Sequence, residues 1–233
     1  FIDSGYERDE DVGARLAYWR DLSKPDIAAI ILTHRHTDHI GGASALHKEP
    51  GAAIVCSPAE REPIQEALSD APVVKVAADG ESFDLGGVIL EIIHTPGHTL
   101  GSLCVYYRDE GALFTGDTIL GTGTTFISPD QGDMALYIES LRKLLTYDVD
   151  VIHPGHGPAI DRPMDRIQAL IDHRLEREEH ILGLLRGGLS SSDELFQAIY
   201  AKLGSHLHSM ARRQLRSHLL KLEREGRIRE QAD

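Results

Sequence analysis

Over the first 160 residues, short apolar runs alternate with loops rich in Gly, Pro, Asp and His. Ile27–Leu32, Ala52–Val55, Val88–Ile93, Leu103–Tyr107, Ala112–Phe114 and Val149–Ile152 are β-branched or aromatic and bounded by breakers, which predicts buried strands. Between them, Gly41–Lys48, Pro58–Leu68 and Asp133–Leu145 carry apolar residues at spacings of three and four, the mark of helices. Tyr18 and Trp19 fall in an earlier helix, both as core anchors. Strands and helices mixed in this order predict an α/β layered domain.

From Pro163 the pattern changes. Ile167, Leu170, Ile171, Leu175, Ile181, Leu182 and Leu185 line one face of a long helix ending at Gly187–Gly188. Ser190–Ser192 offers an N-cap for a helix running to about Leu203. A third helix, His208 to Glu225, stops at Gly226 before Arg227-Ile228-Arg229. Helix, helix and extended strand fit a winged helix-turn-helix. The chain therefore divides into a body over residues 1–188 and a small domain over 189–233.

Composition narrows the class. With 41% hydrophobic and 26% charged residues the chain can build a core. No apolar run approaches the ~18 residues of a membrane helix, so no membrane partner is expected. Two cysteines and no asparagine leave no disulfide framework and no N-glycosylation acceptor, and a cytoplasmic location is the simplest expectation. The chain opens at Phe1 rather than Met, so a targeting segment ahead of it is not assessable. The formal charge is −13, and it is uneven: residues 190–233 carry 8 basic and 6 acidic side chains, which leaves net −15 on residues 1–189. An acidic body repels polyanions, which counts against promiscuous duplex binding.

The candidate chemistry lies in the histidines. Thr33-His34-Arg35-His36-Thr37-Asp38-His39 follows the Ile27–Leu32 run directly. In extended backbone, side chains two apart point the same way, so His34 and His36 can grip one ion while Asp38 and His39 turn toward an adjacent position. Gly41 and Gly42 let the chain turn tightly into a helix. Further candidates sit in loops at strand ends: His98 in Thr95-Pro96-Gly97-His98-Thr99, Asp117 in Thr115-Gly116-Asp117-Thr118, and His156 in His153-Pro154-Gly155-His156-Gly157. Imidazoles with carboxylates suit zinc best, and iron and manganese stay open.

The HxHxDH run His34 to His39, with His98, Asp117 and His156, resembles the signature of the metallo-β-lactamase superfamily. That resemblance implies a four-layer αββα sandwich and two zinc ions. One would be held by His34, His36 and His98, the other by Asp38, His39 and His156, with Asp117 bridging. A two-metal centre of this kind implies hydrolysis by a metal-bridging hydroxide, with Asp38 both ligating and orienting it. Asp3, in Phe1-Ile2-Asp3-Ser4-Gly5, matches an acid that orders the metal loops from behind the ligands. The strands that precede such a segment in the superfamily are missing here, which predicts an exposed sheet edge.

Within the superfamily, a bridging Asp117 points away from β-lactam hydrolysis and toward thioesterases, lactonases and nucleases. Gly121-Thr122-Gly123-Thr124-Thr125, and the tail from His206 through Arg227-Ile228, look like the β-lactamase-like protein 2 group, endoribonucleases with a C-terminal winged helix. Single-stranded RNA is therefore the substrate the resemblance implies. The rival is a thioester, lactone or other acyl compound, as for glyoxalase II-like enzymes. A nucleic-acid-binding protein with structural metals is the non-enzyme alternative, and a homodimer stays open.

Weaker features carry bland readings beside the functional ones. Thr124 and Thr125 line the site or cap a turn; Arg174 binds an anionic substrate group or, better, pairs with Glu178 on a solvated helix face alongside His173 and Arg177. His94 and His153 flank the ligand loops in packing roles, and His47, His206, His208 and His218 are expected at the surface or in the tail. Arg212, Arg213, Arg216, Lys221 and Arg224 make the third tail helix basic, for phosphates or, better, for docking onto the body. Cys56 and Cys104 read as buried thiols.

Overall fold

The computed structural model describes residues 1–68 and 74–229. Elements follow in the order α1 (Asp9–Asp21), β1 (Ala29–Ile31), α2 (Thr37–Ile40), α3 (Ala43–Lys48), β2 (Ala53–Cys56), α4 (Arg61–Ala67), β3 (Lys75–Val76) and β4 (Ser82–Asp84). Then come β5 (Ile89–His94), β6 (Leu103–Tyr107), β7 (Ala112–Gly116), α5 (Met134–Leu144), β8 (Val151–Pro154), α6 (Pro163–Arg186), α7 (Ser192–Tyr200) and α8 (His208–Arg224).

Two sheets form. β1, β2 and β3 pair in parallel, with Ile30 opposite Ile54. β4 to β8 make a second sheet in sequence order, antiparallel except for the parallel β7–β8 pair. The sheets face each other through Ala29, Ile31, Val55, Ile92, Leu103 and Val105, all buried. Outside the first sheet, Leu32, Ile40, Leu46, Ile54 and Ile64 pack under the small helices. Outside the second, Ile93, Tyr106, Leu113, Tyr137, Leu141, Ile152, Ile167 and Leu170 pack under α5 and α6. Helix, sheet, sheet and helix thus stack as an αββα sandwich, each strand alternating its side chains between two cores.

Along one side of β1 the first residues pair in parallel: Ile2 bridges Ile31, and Asp3 N–H donates to the Ile31 carbonyl at 2.8 Å. Beside it an apolar groove of about 920 Å³ runs between the sheets, lined by Phe1, Trp19, Ile27, Phe83, Leu90 and Phe114. Trp19 is buried, donating from Nε1 to the Pro25 carbonyl, but Tyr18 is 63% exposed and is no core anchor. Consecutive helical residues point about 100° apart, so only one of the pair faces the core.

The tail packs a third core, in which Ile181 and Leu182 of α6 meet Leu195, Phe196, Leu215 and Leu222. Ser191 caps α7 reciprocally with Glu194, a capping box. α7 ends at Tyr200 rather than Leu203, and a 3₁₀ turn over Ser205–Leu207 leads into α8. The expected strand over Arg227–Arg229 is not formed among the described residues: Arg227 N–H closes the end of α8 on the Leu222 carbonyl at 2.9 Å, and Ile228 packs on the third core. Both cysteines are buried free thiols, and burial pushes Cys56 up to about 12 and Cys104 up to about 11. No helix among the described residues is long and apolar enough to cross a membrane.

Candidate metal centre

The centre is built where strand ends deliver their loops to one edge of the sandwich. His34 and His36 follow β1, Asp38 and His39 lie in α2, His98 follows β5, Asp117 follows β7 and His156 follows β8. The topology brings all seven together. Three overlapping groups, His34/His36/His98, His34/His39/Asp117 and Asp38/His39/His156, each offer one ligand atom within 4.8 Å of the others. Asp117 faces both ends: its Oδ1 is 3.4 Å from His39 Nε2 and 3.6 Å from His156 Nε2, and its Oδ2 is 3.9 Å from His98 Nε2. Gly155 makes the approach possible, since a Cβ there would sit 2.8 Å from Asp117 Oδ1.

Hydrogen bonds on the outside of the histidine cluster decide what points inward. His98 Nδ1 is 2.8 Å from the Phe126 carbonyl, which only accepts, so Nδ1 carries the proton and Nε2 presents a lone pair. Thr33 Oγ1 donates to Asp3 Oδ2 at 2.8 Å and therefore accepts from His34 Nδ1 at 3.1 Å, leaving His34 Nε2 bare. His36 Nε2 faces Gln131 Oε1 at 2.9 Å, leaving its Nδ1 bare. Those three bare nitrogens converge: His36 Nδ1 lies 2.9 Å from His34 Nε2 and 3.0 Å from His98 Nε2. Lone pairs aimed at each other repel unless a cation sits between them. Their spacing is near the ~3.3 Å edge of a tetrahedron with zinc–nitrogen distances of about 2.0–2.1 Å. The donor set fits a divalent ion.

Electrostatics agree. Burial, then the neighbouring imidazoles, hold His34 well below the usual histidine value, and burial also lowers His98, so both rings stay neutral. Burial opposes charge on His39 too, but hydrogen bonds to Asp117 and Asp3 overcome it and raise it to about 10. Positive charge is thus favoured between those carboxylates. Burial resists ionisation of Asp117, yet His39 brings its carboxyl below the ordinary range.

Asp3 lies behind the HxHxDH loop. Its Oδ1 accepts from Thr33 N–H at 2.7 Å, and its Oδ2 lies 2.6 Å from His39 Nδ1. Thr125 takes its turn-capping alternative, whereas Arg174 and His218 differ from expectation. Thr125 is buried, and its hydroxyl donates to the Asp117 carbonyl at 2.9 Å, so it ties the Asp117 turn rather than facing substrate. Arg174 is 2% exposed, donates to the Thr125 carbonyl at 2.6 Å and lies over the Tyr137 ring, so it is neither on a solvated face nor open to substrate. Its expected partner Glu178 turns to His218 and Lys221 instead, and His218 is buried rather than at the surface. Thr124 is exposed beside this loop. His94 packs against the Ala77 carbonyl and His153 stacks on Phe114.

Sequence reasoning missed Gln131, the Phe126 carbonyl, and Glu60, a fully buried carboxylate 2.7 Å from Arg35 that anchors the HxHxDH loop. A backbone carbonyl leaves no residue-type signal. It also missed Gly132, where a Cβ would lie 2.1 Å from the Gly97 carbonyl oxygen and 2.6 Å from that of His98. Gly132→Ala is expected to destabilise the protein by about 1–3 kcal/mol, the usual cost of overpacking. Denaturant unfolding of the metal-free protein checks this; an unchanged midpoint would mean that the His98 loop yields freely.

A family model described as "Metallo-beta-lactamase superfamily" matches residues 2–156. The chain belongs to that superfamily. A second model, "Beta-lactamase associated winged helix domain", matches residues 191–233. Among superfamily relatives, a beta-lactamase-like protein 2 homologue from Drosophila melanogaster is 33% identical over 98% of this chain and 79% of its own length. An atrochrysone carboxyl ACP thioesterase from Aspergillus fumigatus is 31% identical over 83% of this chain, which spans 64% of that relative. A beta-lactamase domain protein from Burkholderia ambifaria has the same fold, with a TM-score of 0.86 at 20% identity, covering 100% of this chain and 79% of that one.

Proposed function

We propose that this metallo-β-lactamase superfamily hydrolase holds two zinc ions and cleaves acyl compounds, thioesters first among them. The observation that carries the metal reading is the convergence of three bare imidazole nitrogens on one point, with Asp117 reaching from there to the Asp38/His39/His156 group. His34, His36 and His98 would hold one ion, Asp38, His39 and His156 the other, and Asp117 would touch both. Ions bound there would supply a water acidic enough to ionise near neutral pH and polarise the attacked oxygen. The chain's own part is to place groups. Asp38 Oδ2 lies 3.0 Å from His156 Nε2, which places the carboxylate in the same group and within reach of the proton of an attacking water held there. His156 is half exposed, which leaves a path for substrate and sets this centre apart from closed four-ligand structural zinc sites.

Charge supports the acyl reading. Arg212 pairs with Asp193, Arg213 with Asp130, Lys221 with Glu178 and Arg224 with Asp133, and Arg216 is also engaged. The basic face of α8 is thus spent on this chain's own carboxylates and carbonyls rather than held open for phosphates, on a body that is acidic overall. The thioesterase name of the Aspergillus relative points the same way. Single-stranded RNA is the second reading, favoured by the match to the Drosophila homologue over both the body and the tail.

One experiment separates them. Zinc-loaded protein is given a neutral acyl N-acetylcysteamine thioester and, separately, a fluorescent single-stranded RNA, each at roughly 50 and 200 mM salt. The expected result is chelator-sensitive thioester cleavage that hardly changes with salt, because no phosphates are engaged. RNA cut in a metal-dependent manner, falling steeply with salt while the thioester stays intact, would replace the acyl reading with the second.

A further inference from the structure

We infer that α8 of the tail is a positioning element for the metal centre, acting through Gln214 and Ser217 on the loop between β7 and α5. The inference rests on the metal reading above and extends it to residues far from any ligand in sequence.

The loop over residues 125–133 has two working sides. Its inner side supports two of the three converging histidines: the Phe126 carbonyl accepts from His98 Nδ1, and Gln131 Oε1 faces His36 Nε2. Its outer side is held by α8. Gln214 Oε1 accepts from Ile127 N–H at 2.9 Å, and Ser217 Oγ donates to the Ile127 carbonyl at 2.7 Å. Both backbone groups of the residue next to Phe126 are therefore fixed by one helix face. Further along, Arg213 bonds Ser128 Oγ at 2.7 Å, and Arg224 reaches Asp133 Oδ2 at 2.6 Å, where Asp133 also caps α5.

The Ile127 side chain is buried in the core under α5 and α6, but packing is incomplete on the side of the loop that faces α8. A cavity of about 260 Å³ lies between the loop and α8, bordered by Pro129, Gly132, Met134, Ser217 and Leu220. Core packing anchors the Ile127 side chain, and the two directional hydrogen bonds fix the orientation of its peptide groups. A shift of the Ile127 peptide would carry the Phe126 carbonyl away from His98 Nδ1, free the ring to change tautomer and turn Nε2 off the convergence point. Such support behind a ligand normally matters: its loss costs about 10–100-fold in metal affinity. Gln214 and Ser217 act one step further out.

The test uses the full chain and zinc alone. Competition with a chelator of known affinity gives the zinc dissociation constant for wild type, Gln214→Ala/Ser217→Ala, Gln214→Glu and Arg212→Ala. The double variant is expected to bind zinc about 3- to 10-fold more weakly, below the loss for a group touching a ligand directly. Gln214→Glu keeps an acceptor for Ile127 N–H and should restore most of the affinity. Arg212→Ala removes an α8 contact that stays within the tail and should leave it unchanged. Long-range ¹⁵N correlation spectra of the metal-free double variant should show His98 losing its single Nδ1–H tautomer, a change that loss of stability alone does not produce. Unchanged zinc affinity in the double variant, or an equal loss in Arg212→Ala, would overturn the inference. Wild type that binds no zinc would instead fail the metal reading.

Discussion

Asp38→Ala is expected to lower turnover by about 10²–10⁴-fold and to reduce bound zinc from about two ions per chain toward one. The carboxylate sits in the first turn of α2, 3.0 Å from His156 Nε2 and 3.7 Å from His39 Nε2. Removing it takes one oxygen ligand from the Asp38/His39/His156 group and also the group placed to accept a proton. The opposite triad of histidines keeps every outward hydrogen bond and should keep its ion. Alanine suits a helix, so α2 should survive the change. Asp38→Asn provides the shape control: it keeps the volume, loses the charge, and should fail almost as badly. Metal content by elemental analysis and steady-state turnover are the two readouts. Full turnover with two ions retained would remove Asp38 from the chemistry and with it the assignment of the second ion.

The site was legible because its signal is local. His34, His36, Asp38 and His39 lie within six residues, and the others follow strand ends that apolar runs already mark, so convergence needed only the rule that such loops gather on one edge of a layered sheet. The sandwich was legible for the same reason, with β5 and β6 falling within about a residue of the runs that predict them. What stayed hidden depends on partners distant in sequence. β4 is a three-residue strand whose identity comes from pairing with β5 rather than from its own pattern. Ser217 looks like any helix-surface serine until the Ile127 carbonyl, ninety positions away, is set against it. Arg174 reads as a solvated cation because its helical neighbours are charged, yet the Thr125 carbonyl and the Tyr137 ring draw it inside. Periodicity reports which face is apolar, and a buried charge breaks that report.

The same kind of buried charge sets the second large expectation, that Lys221→Ala destabilises the protein by about 3–5 kcal/mol, the usual result of breaking a buried ion pair from one side. Glu178 of α6 is fully buried, with Lys221 Nζ at 2.7 Å and His218 Nδ1 at 3.4 Å, both on α8. Without Lys221 the carboxylate keeps, among the described residues, His218 and Arg227, the latter at 3.7 Å, so most of its desolvation is left uncompensated. The double change Glu178→Gln/Lys221→Met removes both charges and should recover most of the loss, since the pair was costly to bury in the first place. The cluster also makes a prediction about acid. Burial disfavours ionisation of Glu178, but His218 and Lys221 overcome it and hold the carboxyl below its ordinary 4.5. Burial holds His218 below 6.5, only partly offset by Glu178. As pH falls below about 6.5 the unfolded chain takes up a proton on His218 that the folded chain resists, and below 4.5 the same becomes true of Glu178. Glu178 therefore stabilises the folded state at neutral pH and loses that contribution in acid, while His218 opposes the folded state as acid charges it, so both lower stability as pH falls. Thermal unfolding of the metal-free protein between pH 7 and 4 should show a falling midpoint, with a shallower fall in Glu178→Gln/Lys221→Met carrying His218→Phe as well. Parallel slopes in the two proteins would mean that acid acts elsewhere, and that α8 is not held to α6 by this charge cluster.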